Sequence, residues 1–246
     1  MSTAYIITSA IDTSVSPLTY SPIRSMFDSD ERLRQTVMTV ASLDQVSDKD
    51  TTIYLVDMSE NSSEYCDFFS YQQNLKFVSV KEELPEIFDE VTSHPNKSRG
   101  ETLLTSSFLE KYKTELMAKD STVKLSGRYF IDGSFDPSIL NRDNIFFKHP
   151  MSHAWQDWWG YDAVRLGNGK ILNQYCSVIL GWGSNRYEDM LHLYKTMSEH
   201  LAKPSNFHYD IETLLYYYTR PYSEHIVETD WTVYGWLAPT GQFVRY

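Results

Sequence analysis

Glycine is scarce in this sequence, and none of its 10 glycines precedes Gly100. Dinucleotide-binding fingerprints and P-loops need glycine where the backbone approaches a phosphate. Both motifs are absent, which excludes the commonest dehydrogenases and nucleoside triphosphatases. A nucleotide bound by this chain would have to be held by side chains and strand ends instead.

Cysteine is scarcer still. Cys66 and Cys176 are the two cysteines, too few for a disulfide framework or a cysteine-rich zinc site, so we expect a reduced compartment. Neither a Gly-x-Ser-x-Gly sequence nor a cysteine-nucleophile motif is present, so acyl transfer has no support.

Basic residues are outnumbered, with 22 Lys and Arg against 33 Asp and Glu and a formal net charge of −11. Proteins that hold nucleic acid through its phosphates need clustered basic side chains, so this class is excluded. No apolar run approaches the roughly 18 residues of a membrane span, and the N-terminus lacks the features of a secretory signal. We therefore predict a soluble, cytoplasmic protein without nucleic-acid partners.

Strands and helices alternate in the first 150 residues. Apolar runs predict strands at 4–7, 52–56, 75–80, 123–132 and 144–147, and amphipathic spacing predicts helices that include 82–91 and 101–118. Asp28 or Asp30 can cap the first helix. This order is typical of βαβ units and predicts a mainly parallel sheet flanked by helices.

The pattern changes after about residue 150. Runs at 162–166 and 171–180, joined by a Gly-Asn-Gly turn, predict a hairpin. Helices are predicted at 187–201 and 211–219, and final strands at 225–227 and 232–237. We interpret the chain as one domain, 1–246, in which this second half builds a lid or second wall.

Polar residues at strand ends are the first site candidates, because ligands of open α/β sheets bind beyond the carboxyl ends of the strands. Thr8 and Ser9 follow the first predicted strand, Asp57 follows the second and Asp132 follows the fourth. Asp57 could accept a hydrogen bond from a ribose or a base, or it could form a turn.

Two segments combine cations with glycine. Lys97-Ser-Arg-Gly-Glu101 precedes the long middle helix, where Arg99 and Gly100 would favour a pyrophosphate; an ordinary polar loop is the alternative. Lys124-Leu-Ser-Gly-Arg-Tyr129 places Gly127 and Arg128 inside a strand, which indicates close approach of a ligand or another backbone. Arg128 would then need an anionic partner, from a ligand or from the protein itself.

Carboxylate pairs occur at two places. Asp132 and Asp136 could ligate a divalent ion, or could be turn residues. Asp210 and Glu212 open a helix whose dipole would keep a carboxylate ionised, as a general base requires, and helix capping is the alternative interpretation.

Taken in order, the motifs resemble those of glycosyltransferases of the GT-A fold, in particular small viral and bacterial members. The segments that carry the resemblance span most of the chain: Thr8-Ser9, Arg32-Leu-Arg-Gln-Thr36, Ile53–Asp57, Lys97–Glu101, Lys124–Tyr129, Asp210-Ile-Glu212 and Gly235-Trp-Leu-Ala-Pro-Thr-Gly241. The usual Asp-x-Asp metal motif after the fourth strand is missing, and Asp132 stands near its place.

The resemblance implies a Rossmann-like fold with a nucleotide-binding half at 1–150 and a hairpin-and-helix acceptor region at 151–246. It implies transfer of a sugar from a nucleotide-sugar donor to a glycan or protein acceptor, with Mn²⁺ or Mg²⁺ at Asp132 as a possible cofactor. Thr8, Ser9 and Asp57 would hold the nucleoside, and Arg99 and Gly100 would face the diphosphate-sugar. Gly127 and Arg128 would line the donor cleft, Lys124 or Arg128 could neutralise the diphosphate, and Asp210 or Glu212 would be the base.

A second hypothesis is a non-catalytic carbohydrate-binding or assembly protein on a degenerate transferase scaffold. The missing metal motif and the 15% aromatic content favour it. Trp155, Trp158, Trp159 and Trp182 could be aromatic walls for a sugar, or could be buried. A nucleotidyltransferase is less well supported, because no acidic metal cluster is evident.

Overall fold

The computed structural model describes residues 1–154, 171–203 and 209–246. Its strands are β1 (Thr3–Ser9), β2 (Thr52–Asp57), β3 (Leu75–Ser79), β4 (Ser121–Ser126), β5 (Tyr129–Ile131), β6 (Ile145–Lys148), β7 (Met151–Ala154), β8 (Ile171–Gln174), β9 (Ile179–Gly183), β10 (Ile226–Thr229), β11 (Val233–Trp236) and β12 (Phe243–Arg245). Its α-helices are α1 (Ser29–Ser42), α2 (Val80–Glu83), α3 (Pro85–Ser93), α4 (Lys97–Lys111), α5 (Lys113–Met117), α6 (Tyr187–Leu201) and α7 (Ile211–Tyr218).

A seven-stranded sheet with the order β10-β6-β9-β4-β1-β2-β3 forms the centre of the fold. Its neighbours pair in parallel except for β9, which runs antiparallel to both β4 and β6. The predicted fold class, a mainly parallel α/β sheet flanked by helices, is therefore confirmed. β1 has β2 on one side and β4 on the other, so the strand order reverses at β1 and β4.

Both faces of this sheet are buried, which explains why its strands read as continuous apolar runs. Ala4 and Ile6 of β1 pack with residues of α3, α4, α6 and α7. Tyr5 and Ile7 face the opposite side, where Val40 of α1 and residues of β5 and β11 cover the sheet. This alternation is the period of two that a strand requires.

Two predicted helices have different bounds, and a third begins at a predicted cap. The helix predicted at 101–118 begins at Lys97, because the Asn96 side chain accepts hydrogen bonds from Ser98 N and Arg99 N and caps it. The helix predicted at 82–91 divides into α2 and α3 at Pro85, which stands at the first position of α3. The 14 residues of α1 begin after Asp28, one of the two predicted caps.

The continuous strand predicted at 123–132 is wrong. β4 ends at Ser126 and β5 joins a separate three-stranded sheet, β12-β11-β5. Between them, Gly127 N donates to Thr8 O at 2.8 Å. A Cβ at position 127 would lie 3.1 Å from both Ser9 Cβ and Thr8 O. The glycine therefore permits a close approach of two backbones at the end of β1.

The predicted hairpin of 162–166 with 171–180 stays a prediction, because its first arm, 162–166, lies outside the described residues. The second arm divides: β8 pairs antiparallel with β7, whereas β9 enters the central sheet. The chain leaves the β8 ladder at Tyr175, whose N–H donates to Glu212 O at 3.1 Å.

In the part of the chain that the structure describes, no helix combines the length and the apolar character that crossing a membrane requires.

Candidate functional site

A cleft opens where β1 and β4 end. Thr8, Ser9 and Ala10 at the end of β1 line it, together with Ser126, Gly127 and Arg128 at the end of the neighbouring β4. The loop that leads from β1 to α1, together with α3 and α4, completes the lining. This is the position at which the strand order reverses, which is where open α/β sheets bind their ligands. Of the predicted binding residues, Thr8, Ser9, Gly127 and Arg128 are brought together here.

Four basic side chains line this cleft: Arg24, Arg32, Lys97 and Arg128. None of the four forms an ion pair with a carboxylate of a described residue. Arg24 donates to the backbone oxygens of Ser16 at 2.9 Å and His94 at 2.5 Å. In a chain with a net charge of −11, a cluster of unpaired cations in one concave site favours an anionic ligand.

Arg128 lines the cleft, and its guanidinium forms no ion pair with a described carboxylate. Its Nε is buried and has no hydrogen-bond partner, and its guanidinium lies 5.8 Å from the centre of the Tyr129 ring. The sequence left open whether an acidic side chain of the protein neutralises Arg128. Among the described residues none does.

Lys97 belongs to the segment predicted to favour a pyrophosphate, but Arg99 and Gly100, not Lys97, were the residues predicted to face it. Lys97, Glu101 and Leu104 follow one another at helical spacing on the face of α4 that lines the cleft. The Lys97 side chain is exposed to the cleft and forms no hydrogen bond or ion pair with another described residue. Desolvation by the surrounding protein, and then the positive charge of Arg128, lower the pKa of Lys97 to about 8. Lys97 therefore remains protonated at neutral pH.

Arg32 supports the floor of the cleft from α1. It is 5% exposed and donates through Nε to Ala10 O. One helical turn later, Thr36 Oγ1 donates to Gly127 O at 3.1 Å and lies 3.1 Å from Ser9 Oγ. Burial and the charge of Arg128 lower the pKa of Arg32 to about 9. This α1 segment therefore ties the end of β1 to the end of β4.

A chain of buried polar contacts connects the cleft to α7. Lys124 Nζ donates to Glu101 Oε1 at 2.6 Å and to Ser177 O at 3.3 Å. The Ser177 hydroxyl donates in turn to Glu212. Burial alone would raise the pKa of Glu101, but the charges of Lys124 and Lys97 outweigh it and lower the pKa.

The resemblance implies that Lys124 could neutralise a diphosphate, but the Lys124 ammonium is not free to do so. Its side chain is 0% exposed, and the ion pair with Glu101 takes up its charge. The prediction that Lys124 binds the donor is not supported by this placement, because α4 brings an acid against it.

Glu212 and Asp210, the predicted bases, lie beside the cleft rather than in its lining. Asp210 caps α7, accepting from Thr213 N at 2.7 Å, and also accepts from the Gln174 side-chain amide at 2.5 Å. Burial, followed by the negative charges of Asp210 and Glu101, raises the pKa of Glu212 to about 7. Glu212 can thus exchange a proton near neutral pH, while Asp210 is engaged as a cap.

Asp57 lies beneath the cleft and does not line it. It is 0% exposed, and its carboxylate accepts from Ile11 N at 3.2 Å and Ser59 N at 2.9 Å. Burial raises the pKa of Asp57 in spite of these hydrogen bonds. The placement favours the turn interpretation over a contact with the nucleoside.

Arg99 and Gly100 lie within α4, not in a loop before it, and on a different face of this helix from Lys97 and Glu101, which line the cleft. Arg99 pairs with Glu90 at 2.6 Å and donates to Ser198 O at 2.7 Å. A Cβ at position 100 would lie 2.8 Å from the backbone oxygen of Val91. Gly100 therefore allows α3 and α4 to pack closely, and neither residue is placed to face a diphosphate.

Asp132 lies in a turn outside the lining of the cleft, where Ser134 N donates to it at 2.9 Å. Asp136 caps a 3-10 helix through Ser138 N. Over residues 1–154, 171–203 and 209–246, no three His, Cys, Asp or Glu side chains form a group that could hold a metal ion. Asp132 and Asp136 are thus turn and cap residues, and the described residues do not form a ready-made set of protein ligands for the Mn²⁺ or Mg²⁺ that the resemblance implies.

The predicted aromatic walls find no support among the described residues. Trp182 is 0% exposed in the core, and Trp155, Trp158 and Trp159 lie outside the described ranges. A different aromatic cluster occurs on the three-stranded sheet, where Phe130 and Tyr234 stack with ring centres 5.8 Å apart.

No family model matches the chain, and no curated protein matches it. Among solved structures, it is similar to the apo structure of the WbbM bifunctional glycosyltransferase, with a TM-score of 0.49 and 11% sequence identity. The match covers 92% of this chain and 38% of that one. The chain therefore spans less than two fifths of that protein's length.

Proposed function

We propose that this protein is a glycosyltransferase that binds a nucleotide-sugar donor in the cleft at the ends of β1 and β4. The observation that carries the proposal is the pair Lys97 and Arg128, two cations without carboxylate partners among the described residues, at the point where the strand order reverses. A diphosphate is the anion of matching charge and size.

The hydroxyl-rich wall at Thr8, Ser9 and Ser126 supports a polar organic ligand rather than a simple inorganic ion. Ser9 Oγ is already paired with Thr36, which leaves Thr8 and Ser126 as the side chains on this wall best placed to bind a ribose or a sugar. The cations would then lie at the phosphates.

Glu212 is the proposed base. In the reaction, the acceptor hydroxyl oxygen bonds to the anomeric carbon while the bond from that carbon to the diphosphate oxygen breaks. The electron pair of the broken bond goes to the diphosphate, and the hydroxyl proton goes to the Glu212 carboxylate. A carboxyl whose pKa lies near 7 suits this proton transfer, because it is ionised beforehand and reprotonated readily.

The experiment is calorimetric titration of the full chain with UDP, GDP, dTDP and CMP, followed by release of free nucleotide from the matching sugar donors. We expect one nucleotide to bind and its donor to be hydrolysed slowly in the absence of an acceptor. Failure of all four to bind would refute the proposal.

A carbohydrate-binding protein is the second candidate, and the aromatic cluster on β5, β11 and β12 favours it. Phe243 is 51% exposed, and its ring centre lies 5.1 Å from that of Trp236. Partly exposed aromatic rings can stack on sugar rings. Binding of glycans without binding of any nucleotide would select this candidate, and release of nucleotide from a donor would exclude it.

A further inference from the structure

The acids near the cleft are already engaged. Glu101, which lines it, is paired with Lys124 at 2.6 Å. Asp12, which also lines it, accepts from the Ser29 hydroxyl at 2.5 Å and the Tyr65 hydroxyl at 2.8 Å, both at Oδ1. Mg²⁺ is commonly held by one or two carboxylates together with the phosphates of a substrate. Here the lining sets four basic side chains against the carboxylate of Asp12, and basic side chains can neutralise a diphosphate directly.

We propose that Lys97 and Arg128 neutralise the donor's diphosphate directly, so that binding and sugar transfer need no divalent metal ion. The inference rests on the proposed function and deepens it by stating how the leaving group is stabilised.

Lys97 is suited to this role by the way its helix begins. The Asn96 side chain occupies the free N–H groups of Ser98 and Arg99, so the backbone at the start of α4 has little left to offer an anion. Lys97 itself has no partner among the described residues, and Glu101, one turn away, is occupied by Lys124. The positive charge of Lys97 therefore remains for a ligand.

Arg128 lines the same cleft from a different element, just after the end of β4. A guanidinium can bind two phosphate oxygens at once, whereas an ammonium acts as a compact charge. The buried Nε of Arg128 has no hydrogen-bond partner. Arg32 also lines the cleft and adds a third positive charge. Burial, and then the positive charge of Arg128, lower the pKa of both Arg32 and Lys97. The three positive charges that line the cleft are placed to stabilise a polyanion.

During transfer, the bond between the anomeric carbon and the diphosphate oxygen breaks and its electron pair moves to that oxygen. The negative charge that develops there would be stabilised by the ammonium of Lys97 and the guanidinium of Arg128, which are positioned before the reaction. The proton of the acceptor hydroxyl leaves to Glu212, so the step balances without any further reactant.

The test uses whichever of UDP, GDP or dTDP binds the full chain most tightly, with inorganic pyrophosphate as a second probe. Affinity is measured with EDTA present and again with excess Mn²⁺ or Mg²⁺. We expect binding and donor hydrolysis to persist in EDTA. Binding that requires the metal would overturn this inference and leave the proposed function standing, whereas no binding under any condition would overturn both.

Variants connect the result to these two side chains. Lys97→Met and Arg128→Met should each weaken binding about 10- to 100-fold, the usual loss for one charge-assisted hydrogen bond. Lys97→Arg and Arg128→Lys should recover part of that loss. Lys49→Met, which removes an exposed lysine before β2, is the matched control and should bind normally. Unchanged affinity in a folded Lys97→Met/Arg128→Met double variant would overturn the inference.

Discussion

Replacing Lys124 by methionine tests the buried ion pair below the cleft. Lys124 is 0% exposed and Glu101 is 14% exposed, with 2.6 Å between Nζ and Oε1. Methionine fills a similar volume but leaves the Glu101 carboxylate without its principal partner. Removing one member of a buried pair typically costs about 3–5 kcal/mol.

Two features of the site place the expected loss near the lower end of that range. Lys97 and Arg128 also lower the pKa of Glu101, so its charge would keep some compensation. We therefore expect Lys124→Met to lose about 3 kcal/mol, or roughly 6–12 °C in Tm for a chain of this size. Reversible urea unfolding and a thermal scan would measure both quantities.

The partner substitution identifies the cause. In Lys124→Met/Glu101→Gln the stranded charge is gone, so the double variant should be more stable than Lys124→Met alone. The control is Lys195→Met, whose pair with Glu110 is 42% and 63% exposed. It should change stability by no more than about 1 kcal/mol. A loss at Lys124 as small as the control's, or a double variant that is no better than the single, would refute the reasoning.

Three further predictions concern the cleft and its surroundings. Because the pKa of Glu212 is about 7, donor hydrolysis should rise as pH passes through 7, and Glu212→Gln should lose that rise while keeping nucleotide affinity. Because the pKa of this carboxyl is raised, its ionisation destabilises the folded wild type as pH increases from 4.5 to 7. The Tm of the wild type should therefore fall relative to that of Glu212→Gln over this window. Lys97 is protonated below its pKa of about 8, so UDP or GDP affinity should fall above pH 8 in the wild type but not in Lys97→Arg, as titrations at several pH values would show. Gly100→Ala should lower Tm through its clash with Val91 O and leave nucleotide affinity intact at temperatures where it is folded; selective loss of affinity would instead support the diphosphate role.

The sheet could be predicted from the sequence because its strands are buried on both faces. Residues such as Ile6 and Ile7 face opposite cores, so the apolar run is continuous and easy to recognise. The reversal of order between β1 and β4 follows from pairing at a distance, which no local pattern records. The cleft could therefore be placed at strand ends, but not at a particular pair of them.

Which charged residue would face the cleft could not be predicted, since tertiary contacts decide it. Lys124 and Arg128 lie four residues apart in one segment, and Glu101 of α4 neutralises the first and not the second. Lys97 and Arg99 are separated by a single residue, and Glu90 forms an ion pair with Arg99 only. The signal for Lys97 was the Asn96 cap: once α4 begins there, Lys97 and Glu101 share one helical face.

An acidic chain with a basic cleft must tolerate repulsion among the basic side chains until a ligand arrives. Arg32, Lys97 and Arg128 could each have been paired with one of 33 acids, as Arg99 and Lys124 are, and the described residues leave all three without a carboxylate. An anion that binds the folded protein alone stabilises it by RT ln(1 + [L]/Kd), and relief of this repulsion adds to its affinity. The unpaired charges thus reduce stability in the free protein and increase affinity in the bound one, which is the balance expected of a binding site and not of a structural ion-pair network.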